Sequence, residues 1–141
     1  MALTREEREQ FLAEPHIAAL AVDAGPGRAP LTVPIWYQYE PGGDIWIMTG
    51  LDSRKNQLIS AAGRFSLMVD QPEPTIRYVS VEGPVVDTAP ATRDQIRELS
   101  ARYLPADKVD DYVEFSLKNH GDLVVLRMRP QRWVSSDLGQ V

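Results

Sequence analysis

Residues 31–63 read LTVPIWYQYEPGGDIWIMTGLDSRKNQLISAAG, and the fold is decided by how this stretch is read. Leu31 to Tyr39 alternates as a strand does, with Val33, Ile35, Tyr37 and Tyr39 on one face and Trp36 on the other. Pro34 interrupts it. A proline has no N–H to give to a ladder, so this strand is expected at a sheet edge or at a bulge. Pro41-Gly42-Gly43-Asp44 turns the chain into a further strand, Ile45 to Thr49. Ser53 to Ala62 follows as a short helix, with Leu58 and Ile59 facing inward and Gly63 placed to cap its C-terminus.

Upstream, Thr4 and Glu7 have the spacing of a capping box, Phe11 and Leu12 give the first helix an apolar side, and Pro15 ends it. His16 to Val22 is an apolar strand, and Asp23 to Arg28 is a turn by its glycines and proline. With the two strands already described it reads as an antiparallel meander. Downstream come strands at Phe65–Val69 and Ile76–Val86, separated by the turn Asp70 to Pro74. Helices at Ala91–Tyr103 and Val109–Lys118 follow, then strands at Leu123–Met128 and Trp133–Ser135. The expected fold is mainly β with short helices: six or seven antiparallel strands in a closed or split β-barrel, as one domain over residues 1–141.

Composition narrows the function. The chain has 141 residues, 43% hydrophobic and 25% charged, with a formal charge of −5. A nucleic-acid backbone demands a basic face, so DNA or RNA binding is not expected. There is no cysteine, which removes disulfides, thiolate metal sites and cysteine nucleophiles. No run approaches the roughly 18 apolar residues of a membrane span. Met1 to Arg8 is charged and lacks an apolar signal core, so a cytoplasmic location is expected. Neither a paired-histidine metal motif nor a Gly-x-Ser-x-Gly elbow occurs.

The most informative segment for chemistry is Thr49-Gly50-Leu51-Asp52-Ser53-Arg54-Lys55. It leaves a strand, passes a glycine and opens a helix, whose free N–H groups form a natural anion site. Ser53 adds a hydroxyl, Arg54 a forked donor and Lys55 a point charge. The same residues also suit a capped helix carrying two solvated cations, and Asp52 counts against an anion. Trp36, Tyr37, Tyr39, Trp46, Tyr78 and Trp133 lie on the strands, where they suit either barrel core and a dimer interface or a ring-binding surface. Tyr78, Ser80 and Glu82 share one strand face, and Glu82 is expected to pair with an arginine. His16 and His120 stand beside turns and receive no role, with His120-Gly121 ending a helix.

Thr49 with Ser53-Arg54-Lys55, then Phe65-Ser66-Leu67-Met68-Val69, then Val79-Ser80-Val81-Glu82-Gly83-Pro84-Val85, resembles in order and spacing the pyridoxamine 5′-phosphate oxidase-like superfamily. The match runs from about residue 10 to residue 90, with an echo at Pro130–Asp137. The resemblance implies a split-barrel homodimer with two equivalent sites at the interface. The cofactor phosphate would meet Ser53, Arg54 and Lys55. The ring would lie along Val33, Pro34, Ile35 and Trp36 and along Ile47, Met48 and Thr49, and Gln71, Tyr78 or Trp133 would reach the partner's site. After Trp133 the sequence lacks the arginine and histidine with which the vitamin B6 enzyme grips its substrate, so B6 oxidation is not expected. The strands instead resemble the branch that uses the deazaflavin coenzyme F420. The implied activity is reduction of a small unsaturated or conjugated molecule with F420; the alternatives are an FMN-dependent enzyme and a flavin carrier without turnover. No catalytic residue stands out, although Tyr37 or Tyr78 is placed to donate a proton.

Overall fold

The alternation over Leu31–Tyr39 holds, but the strand does not run through. The computed structural model describes residues 1–139 and breaks this strand at Trp36 into β2 (Leu31–Ile35) and β3 (Tyr37–Tyr39). β1 (Ala18–Val22) pairs antiparallel with β2, setting Leu20 opposite Val33. β3 pairs instead with β4 (Ile45–Gly50), setting Tyr37 opposite Ile47. The expected meander is therefore two hairpins. Tyr103 supplies the reason: its hydroxyl accepts the Tyr37 N–H at 3.1 Å and donates to the His16 carbonyl at 2.8 Å. A distant side chain satisfies the backbone group that a continuous ladder would have paired.

The remaining strands are β5 (Arg64–Gln71), β6 (Arg77–Pro90), β7 (Leu123–Met128) and β8 (Arg132–Asp137). Hydrogen bonding runs in the order β2-β1-β5-β6-β7-β4-β3, with β8 added on β6. β2 and β3 are the two ends of this path, yet they adjoin in the chain at Trp36, so the sheet curls into a half-barrel. The break also explains why eight strand segments stand where six or seven were expected. Pro34 lies on an end strand, as its missing donor requires. The first half of β6 lies between β5 and β8, and its second half moves onto β7 after a register shift between Val85 and Asp87.

Leu20, Ile45, Ile47, Leu67, Val79, Leu126 and Met128 fill the barrel, and α1 (Arg5–Ala13) packs Phe11 and Leu12 into the same core. The Thr4 hydroxyl accepts the Glu7 N–H and the Glu7 carboxylate accepts the Thr4 N–H, closing the expected box. α2 (Arg54–Ala62) buries Ile59, half-buries Leu58 and ends on Gly63 at φ +74, where a side chain would be strained. α3 (Arg93–Tyr103) and α4 (Ala106–Asn119) form a hairpin around Ile96, Val109 and Val113, tied by Arg93–Glu114 and Arg97–Asp110. α4 begins three residues before its expected start because Pro105 leads straight into the first turn. Among the described residues no helix is long and apolar enough to cross a membrane.

Candidate functional site

The corner where β4 gives way to α2 is built by short-range bonds. The Ser53 hydroxyl accepts the Asn56 N–H at 3.1 Å and lies 3.0 Å from Thr49 Oγ1. Asn56 donates from Nδ2 to the Leu51 carbonyl at 2.8 Å, which holds the loop. Arg54 is exposed, Lys55 half-buried, and neither has a carboxylate partner among the described residues. The first turns of α1, α3 and α4 each carry an acid, as the helix dipole favours, whereas that of α2 carries none. Two cations at the positive end of a helix repel it and each other unless an anion joins them.

Beside this corner, a cavity of about 340 Å³ lies between the α3–α4 hairpin and the broken strand. Its strand wall is Pro34, Ile35, Trp36 and Met48, and its helix wall includes Leu99, Tyr112, Ser116 and His120. Trp36 is held rigidly: one face stacks on Tyr103 at 4.9 Å and 14°, and Tyr112 tilts towards it at 5.7 Å. A second depression of about 470 Å³ shares Ile96, Ser116 and Leu123 with the first and reaches Leu51. Leu51, on the rim of the second depression, stands two residues before Ser53 in the chain. An apolar wall beside a corner that carries two cations suits a ligand with a flat apolar part and an anionic part.

The sequence matches the pyridoxamine 5′-phosphate oxidase family over residues 4–137. The chain belongs to this family. Its members are flavin-binding oxidoreductases of the split-barrel type, and the half-barrel described above is that architecture. Similar solved structures include a protein described as an F420 reductase, 25% identical, with a TM-score of 0.70 over 89% of this chain and 94% of that one. A conserved hypothetical protein from Mycobacterium tuberculosis is 22% identical with a TM-score of 0.73, covering 97% of this chain and 86% of the other. An FAD-binding protein from Mesorhizobium loti, 18% identical with a TM-score of 0.61 over 96% and 93% of the two chains, shares the fold. No curated protein sequence matches the chain.

The structure brings only some of the residues singled out from the sequence together. Pro34, Ile35, Trp36 and Met48 come together on one cavity wall, and Thr49, Ser53, Arg54 and Lys55 at the neighbouring corner. Ile47 turns away: it is fully buried inside the barrel, because its strand alternates and Met48 takes the outward position. Val33 packs against the core from the β2 side. Gln71 and Tyr78 line neither depression; they lie at the β5–β6 hairpin end, Gln71 opposite Arg77 and Asp70 opposite Tyr78. Trp133 sits at the α1 end of the barrel with the Arg8 guanidinium over its ring at 4.7 Å. Tyr37 is no proton donor to a ligand: it is fully buried, its hydroxyl points to the Leu12 carbonyl at 2.7 Å, and burial pushes its pKa up. Glu82 pairs with Arg64 at 3.7 Å, as expected. The helix wall with Tyr112, Ser116 and His120 was missed, although the four-residue spacing of those three along α4 and its cap was there to see.

Proposed function

We propose that the chain is an oxidoreductase that uses F420 to reduce a small conjugated organic molecule, acting as a homodimer. The observation that carries this reading is the pair Arg54 and Lys55, cations without a carboxylate partner among the described residues, at the start of a helix lacking any acid in its first turn. The residues fit an anionic coenzyme with a flat ring. Ser53, Arg54 and Lys55 would hold its phosphate by charge-assisted hydrogen bonds. The ring would lie along Pro34, Ile35, Trp36 and Met48, with Thr49 and Val33 flanking it and the buried Ile47 supporting that wall from behind. The stack of Trp36 on Tyr103 keeps the wall flat and stiff, so little order has to be imposed on binding. F420 supplies the hydride chemistry when bound, and the chain supplies anchoring, orientation and exclusion of water. The F420 reductase at 25% identity favours the deazaflavin over FMN, which presents a similar ring and phosphate.

Titration of the purified chain with F420 and, separately, with FMN tests the reading. F420 should bind the more tightly, and Arg54→Ala with Lys55→Ala should weaken it by about tenfold to a hundredfold per lost contact. Tighter FMN binding moves the assignment to the flavin-dependent alternative. Failure of both to bind ends it.

A further inference from the structure

The cavity contains polar groups that the coenzyme reading leaves without a task. Tyr112, Ser116 and His120 recur every fourth residue along α4 and its cap, so they share one helix face, and all three line the cavity. Ser116 is 2% exposed and its Oγ lies 2.8 Å from His120 Nδ1. Ser100, on the facing helix, behaves differently and donates to the Ile96 carbonyl at 2.6 Å, the usual helical back-bond. Ser116 makes no such bond among the described residues, which leaves Nδ1 as an acceptor for its hydrogen; with that hydrogen given to Nδ1, the imidazole proton lies on Nε2. Edge-on contacts with Tyr112 and Phe115, at 6.2 and 5.4 Å, fix the ring. Among the described residues neither Nε2 of His120 nor the Tyr112 hydroxyl has a protein partner, and no carboxylate, guanidinium or ammonium lines the cavity.

We propose that this face of α4 is the recognition element for the organic substrate, with His120 Nε2–H donating to a carbonyl oxygen of a flat, uncharged, conjugated molecule. The word substrate rests on the redox reading above; the binding does not. Apolar walls favour a flat ring. A carboxylate would lose its hydration there and gain no counter-ion, so the cavity selects neutral molecules. Electrons added to a conjugated carbonyl place negative charge on its oxygen, and a donor already aimed at that atom stabilises the charge. Ser116 is a positioning residue that turns Nε2 away from itself.

The chain has only two histidines, which makes the test direct. His16 serves as an internal control, since its Nε2 lies 3.0 Å from the Phe11 carbonyl and its ring stacks on Phe11 at 4.6 Å. Chromone, chromone-2-carboxylate and naphthalene are titrated into the full chain while the imidazole nitrogen resonances are followed. Chromone should shift the His120 Nε2 resonance, leave His16 unmoved, and bind about tenfold more tightly than either comparator. His120→Ala should weaken chromone about tenfold without affecting naphthalene, and His120→Gln, which keeps a donor, should recover part of the loss. Ser116→Ala should weaken chromone about threefold. Absence of chromone binding, saturation with the His120 resonance unmoved, or equal affinity for chromone and its carboxylate overturns the proposal. A parallel F420 titration separates the two readings. A His120 response without coenzyme binding retires the redox assignment and keeps the recognition face, and coenzyme binding with a silent His120 does the reverse.

Discussion

Arg102 sits on α3 and reaches across to the end of α1, a helix with no basic residue in its own last turn. Its guanidinium donates to the Ala13 and Glu14 carbonyls, both at 2.8 Å, and to Gln38 Oε1 at 3.1 Å, while its carbon lies 4.9 Å over the Tyr37 ring. These carbonyls have no helical donor of their own. Arg102→Met keeps the packing of the stem and removes the donors, so urea unfolding should show a loss of about 2–3 kcal/mol. An unchanged midpoint would mean that water caps α1 equally well. A second residue-scale expectation concerns acid. Burial pushes the Asp137 carboxyl up, but the Gly139 N–H, the Thr75 hydroxyl and Arg77, at 3.1 Å, outweigh it and hold the group below the usual carboxylate range. A group whose pKa is lower folded than unfolded stabilises the fold above the unfolded value and loses that contribution as pH falls through the folded one. The denaturation midpoint should therefore be flat near neutrality and fall on the acid side of the ordinary Asp range. Asp137→Asn should flatten that acid limb, and an identical limb in the variant would remove Asp137 from the account. Tyr37 shows what was legible at this scale. Alternation put it on one face with Val33, Ile35 and Tyr39; the structure turns that face inward, and an inward tyrosine whose hydroxyl finds a carbonyl is no acid for a ligand.

Elements were most readable where their causes were local. The Thr4–Glu7 box and the Gly63 C-terminus are each set by residues within one turn, and each falls where the sequence puts it, whereas α2 starts one residue later than expected because Ser53 serves as its cap. The break at Trp36 was not readable, because the hydroxyl that replaces the ladder there comes from Tyr103, 66 residues from Tyr37. The same reason hid the cavity. Its strand wall was named residue by residue, but its helix wall exists only because the α3–α4 hairpin lands against that break. Gly83 also has a role that depends on a distant element. It lies where β6 crosses the exit of β7, and a Cβ there would sit 1.8 Å from the Arg129 carbonyl oxygen. The crossing is pinned by the Arg129 N–H to the Pro84 carbonyl at 3.0 Å and by the Gln131 N–H to the Glu82 carbonyl at 2.9 Å. Backbone opposes backbone, so no side chain can move aside. Gly83→Ala should cost about 3 kcal/mol or more, read as a lower thermal midpoint and poorer soluble yield. A wild-type midpoint would show that the two strands slide apart freely.

At the scale of the whole molecule, the sheet β2-β1-β5-β6-β8 leaves a broad outer face. One row across it runs Pro34, Ala19, Met68, Ser80 and Val134, each in register with the next. Ala19, Ala21, Ser66 and Ser80 keep the face low, while Met68 and Val134 stand out at 39% and 60% exposure. Flat, small-residue surfaces with protruding apolar side chains suit another protein surface better than water. Tyr78 lies on this same face, two residues from Ser80, so a partner packed on the sheet would meet it. The dimer proposed above is therefore expected to form through this sheet. Leu67, Val69, Val79 and Val81 are the buried residues that alternate with this row, so Met68→Arg with Val134→Arg places charge outside the core and should leave the barrel folded. Light scattering should report a dimer for the wild type and a monomer for the double variant, with F420 affinity falling in step because the site loses its second subunit. A dimeric double variant would move the interface to another face, and a wild-type monomer that still binds F420 would show that one chain is enough to hold the coenzyme.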